Sequence, residues 1–261
     1  MSASPAAEIA VPGTDVTLHV EQGEHVDVVL RGDLEEARPG IVESVANAIA
    51  AQQHGLPSVP ARVLAYHPPD RVLPLPTAVA DRLGLHQVRD LFQMRRPLPV
   101  AADDPARSGA PPLALRPFSP ERDAEAWVRA NNRAFATHPD QGRQTAETLA
   151  ATLGEDWVDL DGFLVVDDAE RPGELAGSCW TRVHPATADD PALGEIFVIG
   201  VDPTHHGRRL GQSLVLAGLD HLAWSGTRTA MLYVEADNDP ALRLYDRLGF
   251  AVHLRYRICS R

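Results

Sequence analysis

Cysteine is scarce in this chain of 261 residues: only Cys179 and Cys259 occur, far apart and with no CxxC or Cys/His spacing. That excludes a disulfide scaffold and a thiolate zinc site, so no metal is expected, and it fits a reducing compartment. Long apolar runs are also lacking. None approaches the roughly 18 residues that would cross a bilayer, so no membrane partner is expected. The segment Met1-Ser2-Ala3-Ser4-Pro5 has neither the basic region nor the apolar stretch of a secretory signal, so the expected location is the cytoplasm. Basic charge is in deficit: 24 Lys+Arg against 36 Asp+Glu give a formal net charge of −12, which argues against a nucleic-acid surface.

What is present is a chain with 44% hydrophobic residues, enough for one large domain or two modest ones. It is organised around Gly194-Glu195-Ile196-Phe197-Val198-Ile199-Gly200-Val201-Asp202-Pro203, an apolar, β-branched run that reads as a buried strand. The polar turn Thr204-His205-His206-Gly207-Arg208-Arg209-Leu210-Gly211-Gln212 follows, and then residues 213–223 at helical spacing. A strand, a basic loop with glycines and a helix start make an anion cradle, because the first-turn N–H groups are unpaired and the helix dipole is positive there. It is neither a nucleotide P-loop, which needs Gly-Lys-Ser/Thr, nor a three-glycine dinucleotide fingerprint. Gly200, inside the apolar run, predicts a bulge or splay of that strand.

Upstream, residues 1–16 read as a frayed tail. Strands are expected at Val26 to Leu30, Arg62 to His67 and Val88 to Arg96, and helices at Ile41 to Gln52 and Thr77 to Leu83, the last stopped by Gly84. Residues 101–112, rich in Pro, Ala and Asp and without periodicity, read as a linker. A new unit opens with the strand Leu113 to Phe118. Helices follow, capped by Ser119 and Thr145, then a hairpin of residues 162–166 and 175–183 across Arg171-Pro172-Gly173. Beyond the loop helix come a strand at Ala230 to Glu235, a helix at Pro240 to Leu248 and a strand at Phe250 to Ile258.

Asp81-Arg82-Leu83-Gly84-Leu85 recurs as Asp246-Arg247-Leu248-Gly249-Phe250, and Glu24 through Gly40 overlies Glu195 through Gly211. Two matches in the same order indicate an internal repeat. Where the second copy has His205, His206, Arg208 and Arg209, the first has Asp33, Glu35 and Glu36, which would repel a pyrophosphate. Ala80 stands in place of Tyr245.

The loop pattern, with His206 and Gly211 at its ends, and the order βααβββαβαβ resemble the GNAT acetyltransferases; the first loop Gly of that family is Arg209 here. Four segments narrow the resemblance: Asn131 to Gly142, Trp180-Thr181-Arg182-Val183-His184, Gly194 to Pro203, and Leu232 to Asn238. Together they are similar to the mycothiol acetyltransferase family, which acetylates the cysteinyl amine of a cysteine–glucosamine–inositol conjugate.

That resemblance implies an α/β GNAT fold, a mixed and mostly antiparallel sheet flanked by helices. A truncated, non-catalytic GNAT-like module (residues 1–100) would precede the catalytic domain (residues 113–261). It implies acetyl-CoA as co-substrate, a small-molecule amine as acceptor and a monomer. Cofactor contacts fall on Ile199, Gly200 and Val201, on His206, Gly207, Arg208, Arg209, Leu210, Gly211 and Gln212, and on Asn238, Asp239, Pro240, Ala241, Leu242 and Arg243. Acceptor contacts fall on Asp140, Arg182, Glu195 and Tyr233, with Asp140 and Arg182 in place of the family's usual Glu and Lys.

Glu195 is the expected general base and Tyr245 the expected acid for the leaving thiolate. From the residues alone, Glu195 reads equally as a strand-end carboxylate, Tyr245 as a core tyrosine, Asn238 as a helix cap and Arg208 with Arg209 as a solvated turn. His138 and His184 read as structural histidines. A GNAT enzyme for another small polar amine, and an idle acyl-CoA-binding regulator, are the alternatives.

Overall fold

The structure, a computed structural model, describes residues 7–22, 26–52, 61–136, 141–187 and 190–261. In chain order the elements are β1 (Ala7–Ala10), β2 (Val16–Gln22), β3 (Val26–Gly32), α1 (Pro39–Gln52), β4 (Ala61–His67), α2 (Pro74–Leu83), β5 (His86–Pro97), β6 (Leu115–Pro117), α3 (Pro120–Ala134), α4 (Ala146–Leu153), β7 (Phe163–Asp167), β8 (Leu175–His184), β9 (Leu193–Val201), α5 (Leu210–Trp224), β10 (Thr229–Glu235), α6 (Asp239–Arg247) and β11 (Ala251–Ser260). They form two compact units. The first comprises Met1–Gln93, Tyr233–Asp239 and Val252–Arg261; the second comprises Met94–Leu232 and Pro240–Ala251.

In the first unit β1 pairs antiparallel with β2 and β2 with β3, β3 runs parallel to β4, and β11 pairs antiparallel with β4 through Tyr256 and Tyr66. Val16, Leu18, Val20, Val28 and Leu30, alternating along their strands, share one buried cluster with Val45 and Ile49, one helical turn apart on α1. One expectation is corrected here. Residues 7–16 are not a tail: Ile9 lies opposite Leu18, and the chain reverses between them through Gly13 at φ 75°. The β1–β2 pair precedes β3 as the β7–β8 pair precedes β9, and among the described residues no helix precedes β3 as α3 and α4 precede β7, so the first module is the shorter one.

The repeat itself is visible. The series β3-α1-β4-α2-β5 matches β9-α5-β10-α6-β11, with the first two strands of each series parallel. Gly84 and Gly249 close α2 and α6 at φ 65° and 77°, and the next N–H returns to Ala80 (2.9 Å) and Tyr245 (3.0 Å) respectively. Glycine is required there because a Cβ is strained in the left-handed region.

The second unit orders its strands β6-β7-β8-β9-β10, antiparallel except for β9 with β10. Its core is aromatic: Trp180 stacks on Phe163 with centroids 4.3 Å apart, and Trp127 meets both edge-on. Thr145 caps α4 in a reciprocal pair with Thr148. Ser119 precedes α3 without capping it through its hydroxyl; instead Asp123 accepts the Ser119 N–H at 2.8 Å.

The expected linker at residues 101–112 is a docked strap within this unit. Gln212 donates to the carbonyls of Ala106 (2.8 Å) and Ser108 (3.0 Å), Ser213 to that of Pro111 (2.6 Å), and Arg107 pairs with Asp220. The expected boundaries shift accordingly: residues 94–112 belong to the second unit, and most of the final strand belongs to the first. Among the described residues, no helix is long and apolar enough to cross a membrane.

Candidate active site

β9 holds the centre of the site. Toward its start it is paired on both sides, Gly194 and Glu195 lying opposite Ala230 and Met231 of β10. Beyond Glu195 it pairs, among the described residues, with β8 alone. The register on β8 slips at one point, where Trp180 faces Val198 but Thr181 faces Ile196, so Phe197 is the extra residue of a bulge. The irregularity expected at Gly200 is therefore at Phe197, and Gly200 sits in regular register opposite Ser178. The parting from β10 leaves one edge of Ile199–Val201 without a strand partner, so amides on that edge remain available to a ligand.

Asp202 ends the strand and builds the turn. It accepts from the Thr204 N–H at 3.0 Å and from the Arg133 guanidinium at 2.7 Å. Burial alone would raise its carboxyl; the hydrogen bonds from Thr204 and Arg133 outweigh that and hold it far below the usual carboxylate range. Beside it, buried His205 meets Asp168 at 2.9 Å, and chiefly that bond keeps Asp168 ionised despite burial. Arg171 joins the two carboxylates, contacting Asp168 at 2.7 Å and Asp202 at 3.2 Å. A fully paired buried network therefore underlies the loop, and His205 belongs to that network and not to the charged surface of the cradle.

Above the network the loop runs to α5. Gly207 and Arg209 both have positive φ, 79° and 59°. Arg209, where the family places glycine, stands in the left-handed region immediately before Leu210. In the first α5 turn the Gln212 N–H reaches back to the Arg209 carbonyl at 3.1 Å, which leaves those of Leu210 and Gly211 as the donors, and the helix dipole adds positive potential there. A Cβ on Gly211 would meet only Leu244 at 3.5 Å and Val201 at 3.8 Å, ordinary contacts, so protein packing does not demand glycine there. The cradle thus fits a pyrophosphate through its backbone.

The side chains contribute less than expected. Arg208 pairs with Glu170 at 3.0 Å, Arg209 reaches toward the carbonyl of Gly109 at 3.5 Å, and His206 is exposed, its ring nitrogen 3.3 Å from the Val201 carbonyl. Gln212 is committed to the strap.

Glu195 is 8% exposed. Its cross-strand partner by register is Arg182, yet the Arg182 guanidinium stacks 4.5 Å from the Trp157 ring centre and 5.9 Å from that of Phe197. The carboxylate is held instead by His184, with Nε2 at 2.7 Å from Oε2. Sequence reasoning missed this pairing, having read His184 as structural. The available signal was its position two residues beyond Arg182 on one strand face.

Tyr245, on α6, is buried; burial first and the Cys179 thiol second push its hydroxyl up, so it stays protonated. Cys179 is a core residue, its thiol pushed up to about 12 by burial. Pro240, Ala241, Leu242 and Arg243 lie on α6 near its start. Tyr233, Asn238 and Asp239 belong to the first unit, where Gln93 donates to the Tyr233 hydroxyl at 2.7 Å. Asp140 and His138 lie outside the described residues. Among the described residues, no group of three or more His, Cys, Asp or Glu is arranged to hold a metal.

The parted strands, the cradle and a buried carboxylate between them agree with the family comparisons. Residues 124–250 match the model of the acetyltransferase (GNAT) family. A mycothiol acetyltransferase of Kocuria rhizophila is 43% identical over 209 residues, covering 80% of this chain and 68% of that one. One from Acidimicrobium ferrooxidans is 43% identical over 235 residues, covering 90% of this chain and 73% of that one. The chain belongs to the mycothiol acetyltransferase family. Its fold is that of GNAT N-acetyltransferases in two modules. A solved GCN5-related N-acetyltransferase from Sphaerobacter thermophilus superposes with a TM-score of 0.67 at 22% identity, over 95% of this chain and 76% of that one.

Proposed function

We propose that this chain uses acetyl-CoA to acetylate the cysteinyl amine of a cysteine–glucosamine–inositol conjugate. The observation that carries the reading is Glu195: a buried carboxylate on the strand that feeds the anion cradle, at the last residue where β9 and β10 still pair. Acetyl-CoA supplies an activated thioester carbonyl. The amides of Gly207, Arg209, Leu210 and Gly211 bind its pyrophosphate, those of His206, Arg208 and Gln212 being engaged within the loop, and unpaired amides among Ile199–Val201 polarise the carbonyl. Glu195 takes the proton of the acceptor ammonium, directly or through water, which frees the amine lone pair for attack. Tyr245, kept protonated by burial, donates to the departing thiolate. Within the second unit, Arg182 and Asp140 are the residues assigned to the acceptor.

Acetylation is tested by incubating the chain with acetyl-CoA and the desacetyl conjugate, beside a panel of small polar amines, and weighing the products. A gain of one acetyl group on the conjugate, faster than on any other amine, is expected. Preference for another amine would overturn the acceptor, and no transfer to any amine would favour an acyl-CoA-binding regulator.

A further inference from the structure

We infer that His184 is a positioning residue for acetyl transfer, setting the orientation of the Glu195 carboxylate. The inference rests on the reading of Glu195 as the proton acceptor. Antiparallel register places Arg182 directly opposite Glu195 and His184 opposite Leu193, so His184 reaches Glu195 along the diagonal. Direct pairing with the closer cation is what the register invites. Arg182 declines it: its guanidinium lies over Trp157, and its Nε is buried without a hydrogen-bond partner among the described residues.

The distinction matters chemically. A guanidinium is a permanent cation, and a carboxylate paired with it gives up basicity. A neutral imidazole donates one N–H to one oxygen and adds no charge. Nε2 lies 2.7 Å from Oε2, and a proton donated across that contact leaves the second carboxylate oxygen to meet the ammonium. His184 ends β8 and its side chain is 31% exposed, against 11% for Glu195, so it closes the solvent side of the carboxylate. The ladder of β8 with β9 fixes both backbones, and one hydrogen bond then fixes the carboxylate plane. Positioning of this kind acts on turnover more than on affinity, since the oriented oxygen is needed when the proton moves.

The test is a double-mutant cycle on turnover. His184→Leu removes the donor at similar size and is expected to lower kcat by about 10- to 100-fold, the scale of a hydrogen bond to a charged group. The acceptor KM and acetyl-CoA Kd should move by less than about threefold. His184→Gln, whose amide can reproduce the Nε2 donor, should hold kcat within about threefold of the parent; His184→Asn, polar but shorter, should behave as the leucine variant does. In a Glu195→Gln background, His184→Leu should cause no further loss. Parent-like kcat in His184→Leu, equal losses in both backgrounds, or failure of His184→Gln to restore turnover would each overturn the inference. Parent-like kcat in Glu195→Gln alone would instead overturn the role of Glu195, and this inference with it.

Discussion

Arg209 shows how a single residue can depart from its family's pattern without dismantling the site. Its φ of 59° is the conformation for which the family uses glycine, and a side chain there costs about 1–2 kcal/mol. The cradle survives because its donors are backbone groups, which any residue supplies. Arg209→Gly should therefore leave the acetyl-CoA Kd within about threefold and stability within about 1 kcal/mol, since relief of strain is offset by glycine's greater freedom in the unfolded chain. Arg209→Val should cost about 1–2 kcal/mol more in urea denaturation, because a β-branched residue tolerates this conformation worst. A glycine variant that loses acetyl-CoA affinity tenfold would show that the guanidinium itself holds phosphate. The strand, turn and helix around residues 193–224 were legible in the sequence because spacing along one segment carries them. The His184–Glu195 pair was not: it depends on a cross-strand register that the bulge at Phe197 shifts by one residue.

At the scale of elements, local rules served well and non-local ones did not. The caps at Thr145 and Gly84 stand where the sequence placed them, because a cap is a contact among near neighbours. The strap of residues 101–112 has no periodicity of its own; its order comes from Gln212, Ser213 and Asp220 on α5. β1 is four residues long and gains its place by pairing with β2 and by packing Ile9 against the core of the first unit.

One buried histidine in these elements makes a pH-dependent claim. At the end of β4, His67 accepts the Leu73 N–H at 3.0 Å, and its other nitrogen is buried without a partner among the described residues. Burial, reinforced by Arg257, lowers its value from 6.5 to about 4. The unfolded chain therefore binds the proton more tightly, and stability should fall as pH drops from about 6.5 toward 4. His67→Asn keeps an acceptor and removes the titration. Its urea midpoint should fall less than the parent's between pH 7 and pH 5; an equal fall would contradict the assignment.

For the whole molecule, two copies of one βαβαβ series differ at the segment that forms the cradle. In the first, the segment matching the cradle is occupied by its own ion pairs: Glu35 binds Arg71, Glu36 binds Arg38, and Asp33 accepts the Glu35 N–H. Its helix α1 opens with Pro39, which has no N–H to offer, whereas α5 opens with Leu210 and Gly211. The repeat was legible because Asp-Arg-Leu-Gly recurs in order. That β11 pairs with β4 was not, since strand order is set by contacts nearly two hundred residues apart in sequence, with Arg255 opposite His67. The central claim is that the β9–α5 cradle of the second unit is where this acetyltransferase binds its co-substrate. Calorimetric titration with acetyl-CoA tests it most directly. One site per chain, with affinity at least about tenfold weaker in Arg208→Glu, where a carboxylate replaces a cation of the loop, is the result the account predicts. Two sites per chain, or binding unchanged in Arg208→Glu, would contradict it.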